Sequence, residues 1–159
     1  MVSGGGFHLA QVNIGRLLAP IDDPLIAEFV AQLDAVNALA DASPGFVWRL
    51  KDESGNATTI PAFDDPQMII NMSVWESFEA LRDYVYRSDH TKVLTRRRDW
   101  FEKLDRPHLA LWWVPAGTLP TVEDAKRRLL ILAEHGPTPD AFTFRDRFPA
   151  PVAAQAAAS

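Results

Sequence analysis

The chain of 159 residues contains no cysteine. That absence removes disulfides, Cys-ligated zinc, iron–sulfur clusters and thiol nucleophiles together. Basic tracts are scarce as well: the longest is Arg96-Arg97-Arg98, and 16 basic against 21 acidic residues leave a net charge of −5. Such a chain is a poor binder of the phosphate backbone, so no nucleic acid partner is expected. No apolar run approaches the ~20 residues of a membrane span, and no membrane association is expected. The opening Met-Val-Ser-Gly-Gly-Gly lacks both parts of a signal peptide, which makes the simplest reading cytoplasmic. Glycine-rich phosphate loops and GxSxG elbows are missing too. The four histidines (8, 90, 108 and 135) form neither HxxxH nor HExxH. No metal site is therefore expected, and a flavin or nicotinamide held through a Rossmann motif is excluded.

What remains is an ordinary globular composition, 47% hydrophobic and 23% charged, with room for one domain. Residues 7–148 form the expected domain, between a flexible leader at 1–6 and a disordered, alanine-rich tail at 149–159. Phe7 to Ile14 reads as a strand bounded by Gly15. Asp22-Asp23-Pro24 opens a helix whose apolar residues Ile26, Phe29, Val30, Leu33, Val36 and Leu39 recur until Pro44-Gly45. Phe46 to Leu50 is a second strand, residues 52–66 a long loop, and Gln67 to Glu76 a third strand rich in β-branched and aromatic residues. The helix starting at Ser77 is expected to restart or bend at Ser88 and then run to about Leu104. His108 to Pro115 is the fourth strand, and Thr121-Val122-Glu123-Asp124 is a capping box that opens a last helix.

The order β-α-β-β-α-β plus a terminal helix is the split βαβ of ferredoxin-like α+β folds. Two helices cover one face of the sheet, yet both parities of the third and fourth strands are apolar. A sheet with one wet face alternates apolar and polar residues. The second face is therefore expected to be buried against an identical chain, as a homodimer.

With a third strand ending in Val-Trp-Glu-Ser and Ser-Asp-His in the following helix, the chain resembles the dimeric α+β barrel superfamily, which includes antibiotic-biosynthesis monooxygenase-like proteins. The stretches LAQVNIGRL, VNALADASPGFVWRL, NMSVWES, RRRDWFE, HLALWWVPAG and HGPTPDAFTF more closely resemble a bacterial family known as a domain of unknown function within that group. The resemblance implies two chains forming one dimeric barrel. It leaves the reaction open, because the superfamily hosts oxygenases, haem enzymes, isomerases and binding proteins.

Polar residues on strands that should be buried are the informative ones. Gln11 and Asn13 share a parity on the first strand, as do Asn71, Ser73 and Trp75 on the third, and Arg49 is the polar member of the second. An unpaired amide in a sheet interior costs a few kcal/mol, so these groups bond each other, water or a ligand. Either they line a pocket between sheet and helices, or Asn13 and Asn71 satisfy one another. His90 lies two residues after Ser88, where the helix dipole favours a neutral imidazole able to act as base. It shares a helix face with Arg97, and either both enter the pocket or both serve the helix itself. Five tryptophans suit an aromatic ligand or a dimer interface equally well, with Trp48, Trp75 and Trp112 the candidates by strand placement.

The resemblance also implies a haem alternative. Haem-degrading members of the superfamily use an Asn on the first strand, a Trp ending the third and a His on the second helix, and Asn13, Trp75 and His90 occur in that order. His90 falls about one and a half helical turns beyond the family's axial ligand, ~7 Å at 1.5 Å per residue, and Val85 occupies that ligand's position.

The sequence thus points to an enzyme acting on a small, largely apolar or aromatic molecule, monooxygenase-like or a cyclase or isomerase of secondary metabolism, and needing no flavin. His90, Arg97 and Asn13 are the expected catalytic residues; Arg49, Trp48, Asn71, Trp75 and Trp112 are the expected substrate-binding ones. A haem enzyme and a non-catalytic dimeric ligand-binding or stress protein are the alternatives.

Overall fold

Strand β1 (Phe7–Arg16) runs through the middle of a four-stranded antiparallel sheet of order β2-β3-β1-β4. A computed structural model describes residues 6–51, 65, 67–87, 97–104 and 107–151, without the side chains of Asp34, Arg87, Arg97 and Arg98. β1 pairs with β3 (Met68–Trp75) from Leu9↔Trp75 to Arg16↔Met68, and with β4 (Leu109–Pro115) from Phe7↔Pro115 to Asn13↔Leu109. β2 (Phe46–Arg49) lies on the far edge of β3. Four antiparallel strands in this order, with helices after β1 and β3, are the ferredoxin-like α+β arrangement read from the sequence.

The helices start and stop where local chemistry dictates. The Asp23 carboxylate accepts from the Leu25 amide at 2.9 Å and opens a short 3-10 turn, Pro24–Ile26, which leads into α1 (Ala27–Ala42). α1 ends before Pro44-Gly45. Gly45 has φ +82°, and a Cβ there would lie 2.5 Å from the Ala80 Cβ. The turn into β2 therefore needs glycine both for its conformation and for its approach to α2 (Phe78–Arg87). The expected helical run does not reach Leu104. Among the described residues α2 spans Phe78–Arg87 and a helical turn, α3, spans Arg97–Trp100, while Phe101 pairs with Leu17 as a bridge extending β1. The expected restart or bend at Ser88, the loop at 52–64 and 66, and most of the leader and tail lie outside the described residues. α4 (Val122–His135) begins with the expected capping box: Thr121 Oγ1 accepts from the Asp124 amide and the Asp124 carboxylate from the Thr121 amide, both at 3.1 Å.

Period-two alternation sorts the strand residues onto two faces. Leu9, Trp75 and Leu111 pack under α1 and α2 with Ala40, Phe78, Leu81, Tyr84 and Val85. On the opposite face Ala10, Val12, Met72, Val74, Ala110 and Trp112 form a second buried cluster with Ala125, Leu129 and Leu132 of α4. That face does not wait for a partner. The terminal helix of the same chain lies against it, so an apolar second face alone does not require a second copy.

One irregularity changes the expected site. A bulge in β2 places Phe46 opposite Trp75 and Trp48 opposite Val74, an extra residue against one of β3. Phe46 therefore meets the Trp75 ring edge-on at 5.4 Å, while Trp48 turns to the α4 face and Arg49 to the α1–α2 face.

Candidate functional site

Between the sheet and helices α1 and α2 lies a cavity of about 290 Å³. Its walls are mostly apolar, from Phe29, Leu33 and Val36 of α1, Leu81 and Val85 of α2, and Phe101. Its floor is polar because β1 and β3 put their amides on this face in register, Gln11 opposite Ser73 and Asn13 opposite Asn71. Gln11 Nε2 donates to Asn71 Oδ1 at 2.8 Å and to Ser73 Oγ at 2.9 Å. Asn13 Nδ2 donates to Gln11 Oε1 and to Asn71 Oδ1, each at 3.1 Å. The Trp75 indole N–H completes the chain by donating to Ser73 Oγ at 2.8 Å. Gln11 and Ser73 are buried, whereas Asn71 is exposed at the rim.

Two more polar side chains flank this floor. The Arg49 guanidinium binds both carboxylate oxygens of Asp41 on α1, at 2.8 and 3.2 Å, and that hydrogen bonding holds the Asp41 carboxyl below its ordinary range. Tyr84 stacks on Trp75 with ring centroids 5.0 Å apart and donates its hydroxyl to the Val36 carbonyl at 3.0 Å. Burial pushes the phenol pKa well up, so Tyr84 stays protonated and is no base near neutral pH. Farther along the sheet Arg16 binds Asp65 at 2.6 Å and also Glu102, tying the segment that carries Phe101 to the end of β1.

Of the residues expected from the sequence, Asn13, Arg49, Asn71 and Trp75 come together on the cavity. Trp48 and Trp112 do not. Both belong to the α4 face, where Trp112 is buried beneath the Arg128 guanidinium, 5.8 Å from its ring centroid. Parity decides this: Trp112 pairs with Ala10, and Trp48 precedes the inward Arg49, so neither can share the face of Asn13. His90 lies outside the described residues, and Arg97 is described only as backbone in α3. Tyr84 and His108, which also line the cavity, were missed. The signal for Tyr84 was its place one residue before Val85 on the apolar stripe; His108 had none, standing alone before β4. The alternative in which the asparagines satisfy one another is also partly met, since Asn13 bonds Asn71 while both line the cavity.

The stacked Trp75 and Tyr84 rings and the buried Val85 also line the cavity. Among the described residues no three His, Asp or Glu side chains converge to hold a metal. No helix among them is long and apolar enough to cross a membrane.

Fold and site together define a ferredoxin-like α+β protein with an internal, amide-floored cavity of small-molecule size. The chain belongs to the family DUF3291, a domain of unknown function, whose model matches residues 8–158. Among curated proteins none matches it. Among solved structures it is similar to NE2512 of Nitrosomonas europaea, a protein of unknown function, at 14% identity and a TM-score of 0.49, covering 74% of this chain and 99% of that one. It is similar to SnoaB of Streptomyces nogalater, a cofactor-independent oxygenase, at 19% identity and a TM-score of 0.47, covering 73% and 100%. A candidate antibiotic biosynthesis monooxygenase from Chloroflexus aurantiacus J-10-fl is similar at 17% identity and a TM-score of 0.42, covering 72% and 98%.

Proposed function

We propose that this DUF3291 protein is a cytoplasmic enzyme acting on a small, largely apolar organic molecule, by oxygenation, cyclisation or isomerisation in secondary metabolism without a flavin. The observation that carries the reading is the cavity itself: apolar walls around a buried row of amide, hydroxyl and indole groups. Such a site encloses an apolar body and fixes its orientation through a few polar contacts. Arg49 is the cation for a developing enolate or phenolate oxygen, its side chain held in place by Asp41. His90 is assigned the proton transfer and Arg97 a supporting positive charge. Replacing Asn13 or His90 by Ala should lower turnover of a found substrate by at least tenfold; unchanged turnover refutes the assignment. In a non-catalytic binding protein the same variants would alter stability and affinity alone.

The chemistry proposed is independent of haem. Hemin added to the purified protein is expected to leave the Soret band unshifted, and a shifted band reinstates the haem reading. A homodimer is proposed with the family resemblance. Because α4 occupies the second sheet face, pairing must use another surface or displace that helix. Sedimentation velocity on the full chain decides whether a second copy is present.

A further inference from the structure

Among the described residues, the hydrogen bonds of the cavity floor leave one buried proton without an acceptor. Ser73 is 6% exposed, and its Oγ receives two N–H groups, from Gln11 at 2.9 Å and Trp75 at 2.8 Å. A hydroxyl has two lone pairs and one proton. With both lone pairs occupied, the proton lies along the remaining tetrahedral direction, and Ser73 donates to no group among the described residues. A buried donor left unsatisfied costs about 1–3 kcal/mol. Ser73 lines the cavity, so an acceptor supplied from inside the cavity removes that cost.

We infer that Ser73 is a specificity residue of the proposed site, and that its hydroxyl proton selects ligands whose innermost group is a hydrogen-bond-accepting oxygen, such as the carbonyl of a cyclic ketone. This rests on the small-molecule reading above and narrows it to a ligand class. Trp75 acts as a positioning residue: an indole N–H only donates, so Ser73 must accept from it. Gln11 is the second. Its donation to Ser73 fills the other lone pair, and its carbonyl takes one N–H of Asn13. At the rim Asn71 has both Nδ2 protons unused among the described residues, and Asn13 Oδ1 accepts from none of them. Turning all three amides round would aim Gln11 Oε1 at Ser73 and consume the proton internally, leaving nothing at the floor to favour an oxygen.

The test uses 1-tetralone and its oxygen-free counterpart tetralin as probes on the full chain. Calorimetry gives their affinities, and infrared spectroscopy gives the carbonyl stretch of bound tetralone. The expected result is about tenfold tighter binding of tetralone than of tetralin, with the bound carbonyl band below its position in hexane. In Ser73→Ala the band should return toward that position and the tenfold preference should be lost, while tetralin binds as before. The wild-type band needs no variant, so the test survives a Ser73→Ala chain that fails to fold. Both probes bound with an unshifted carbonyl overturns the role of Ser73 and leaves the small-molecule reading intact. Binding of neither probe overturns both.

Discussion

Single residues of this chain carry its most legible information, because a strand reports its faces by parity. Gln11 and Asn13, then Asn71, Ser73 and Trp75, each fall two apart, and that spacing alone placed them on one side of the sheet. Trp48 was misplaced because the bulge is a backbone event with no composition of its own. Trp112 was misplaced for a different reason: both parities of β4 are large and apolar, so pattern does not say which face holds the polar groups. The Trp75 indole separates structure from recognition. Trp75→Phe keeps an aromatic ring against Tyr84 and Phe46 but leaves Ser73 with one N–H donor fewer. A net cost of about 1 kcal/mol is expected in urea unfolding. A cost near zero would mean that this hydrogen bond adds nothing to the folded state. Gly45→Ala should be harsher, because a side chain at φ +82° costs about 1–2 kcal/mol before the Ala80 contact is counted. A variant as stable as the parent would show that the α1–β2 turn relaxes freely.

Elements follow from caps and breakers more faithfully than from periodicity. Thr121 to Asp124 announced α4, and Gly136 follows its last residue. The second helical stretch is expected to reach about Leu104, and no residue near its end announces that the backbone leaves the helix after Trp100 and adds Phe101 beside β1. The α4 cap makes a pH prediction. The hydrogen bond from the Thr121 amide holds the Asp124 carboxyl below the ordinary carboxylate range. A carboxyl lowered by folding stabilises fully above its unfolded value and loses that contribution as pH falls through the folded one. Asp124→Asn should therefore be less stable than the parent by ~0.3–1 kcal/mol at neutral pH, the range for an anion at a helix N-terminus. The two stability curves should converge in acid. A gap that persists unchanged below pH 3.8 would assign the cost to packing instead of charge.

At the scale of the molecule, the apolar second face of the sheet was legible but its cover was not. The strands show that Ala110, Trp112 and Val114 must be buried; they do not say whether a second chain or a later part of the same one buries them. The amphipathic α4 answers that with Ala125, Leu129 and Leu132, spaced four and three apart so that all reach the sheet. These contacts can be weakened while the rest of the chain stays in place. Replacing both Leu129 and Leu132 by Ala deletes two buried side chains that are each worth about 2–5 kcal/mol. Because the α4 face would then be loosely covered, Trp112 emission should shift to the red. The same variant should sediment as a larger species than the parent at equal concentration, since an uncovered sheet face of this composition associates. If the double variant keeps the parent's stability and sedimentation, α4 is not what closes the sheet. The face would then be free for the sheet-to-sheet pairing that the family resemblance implies.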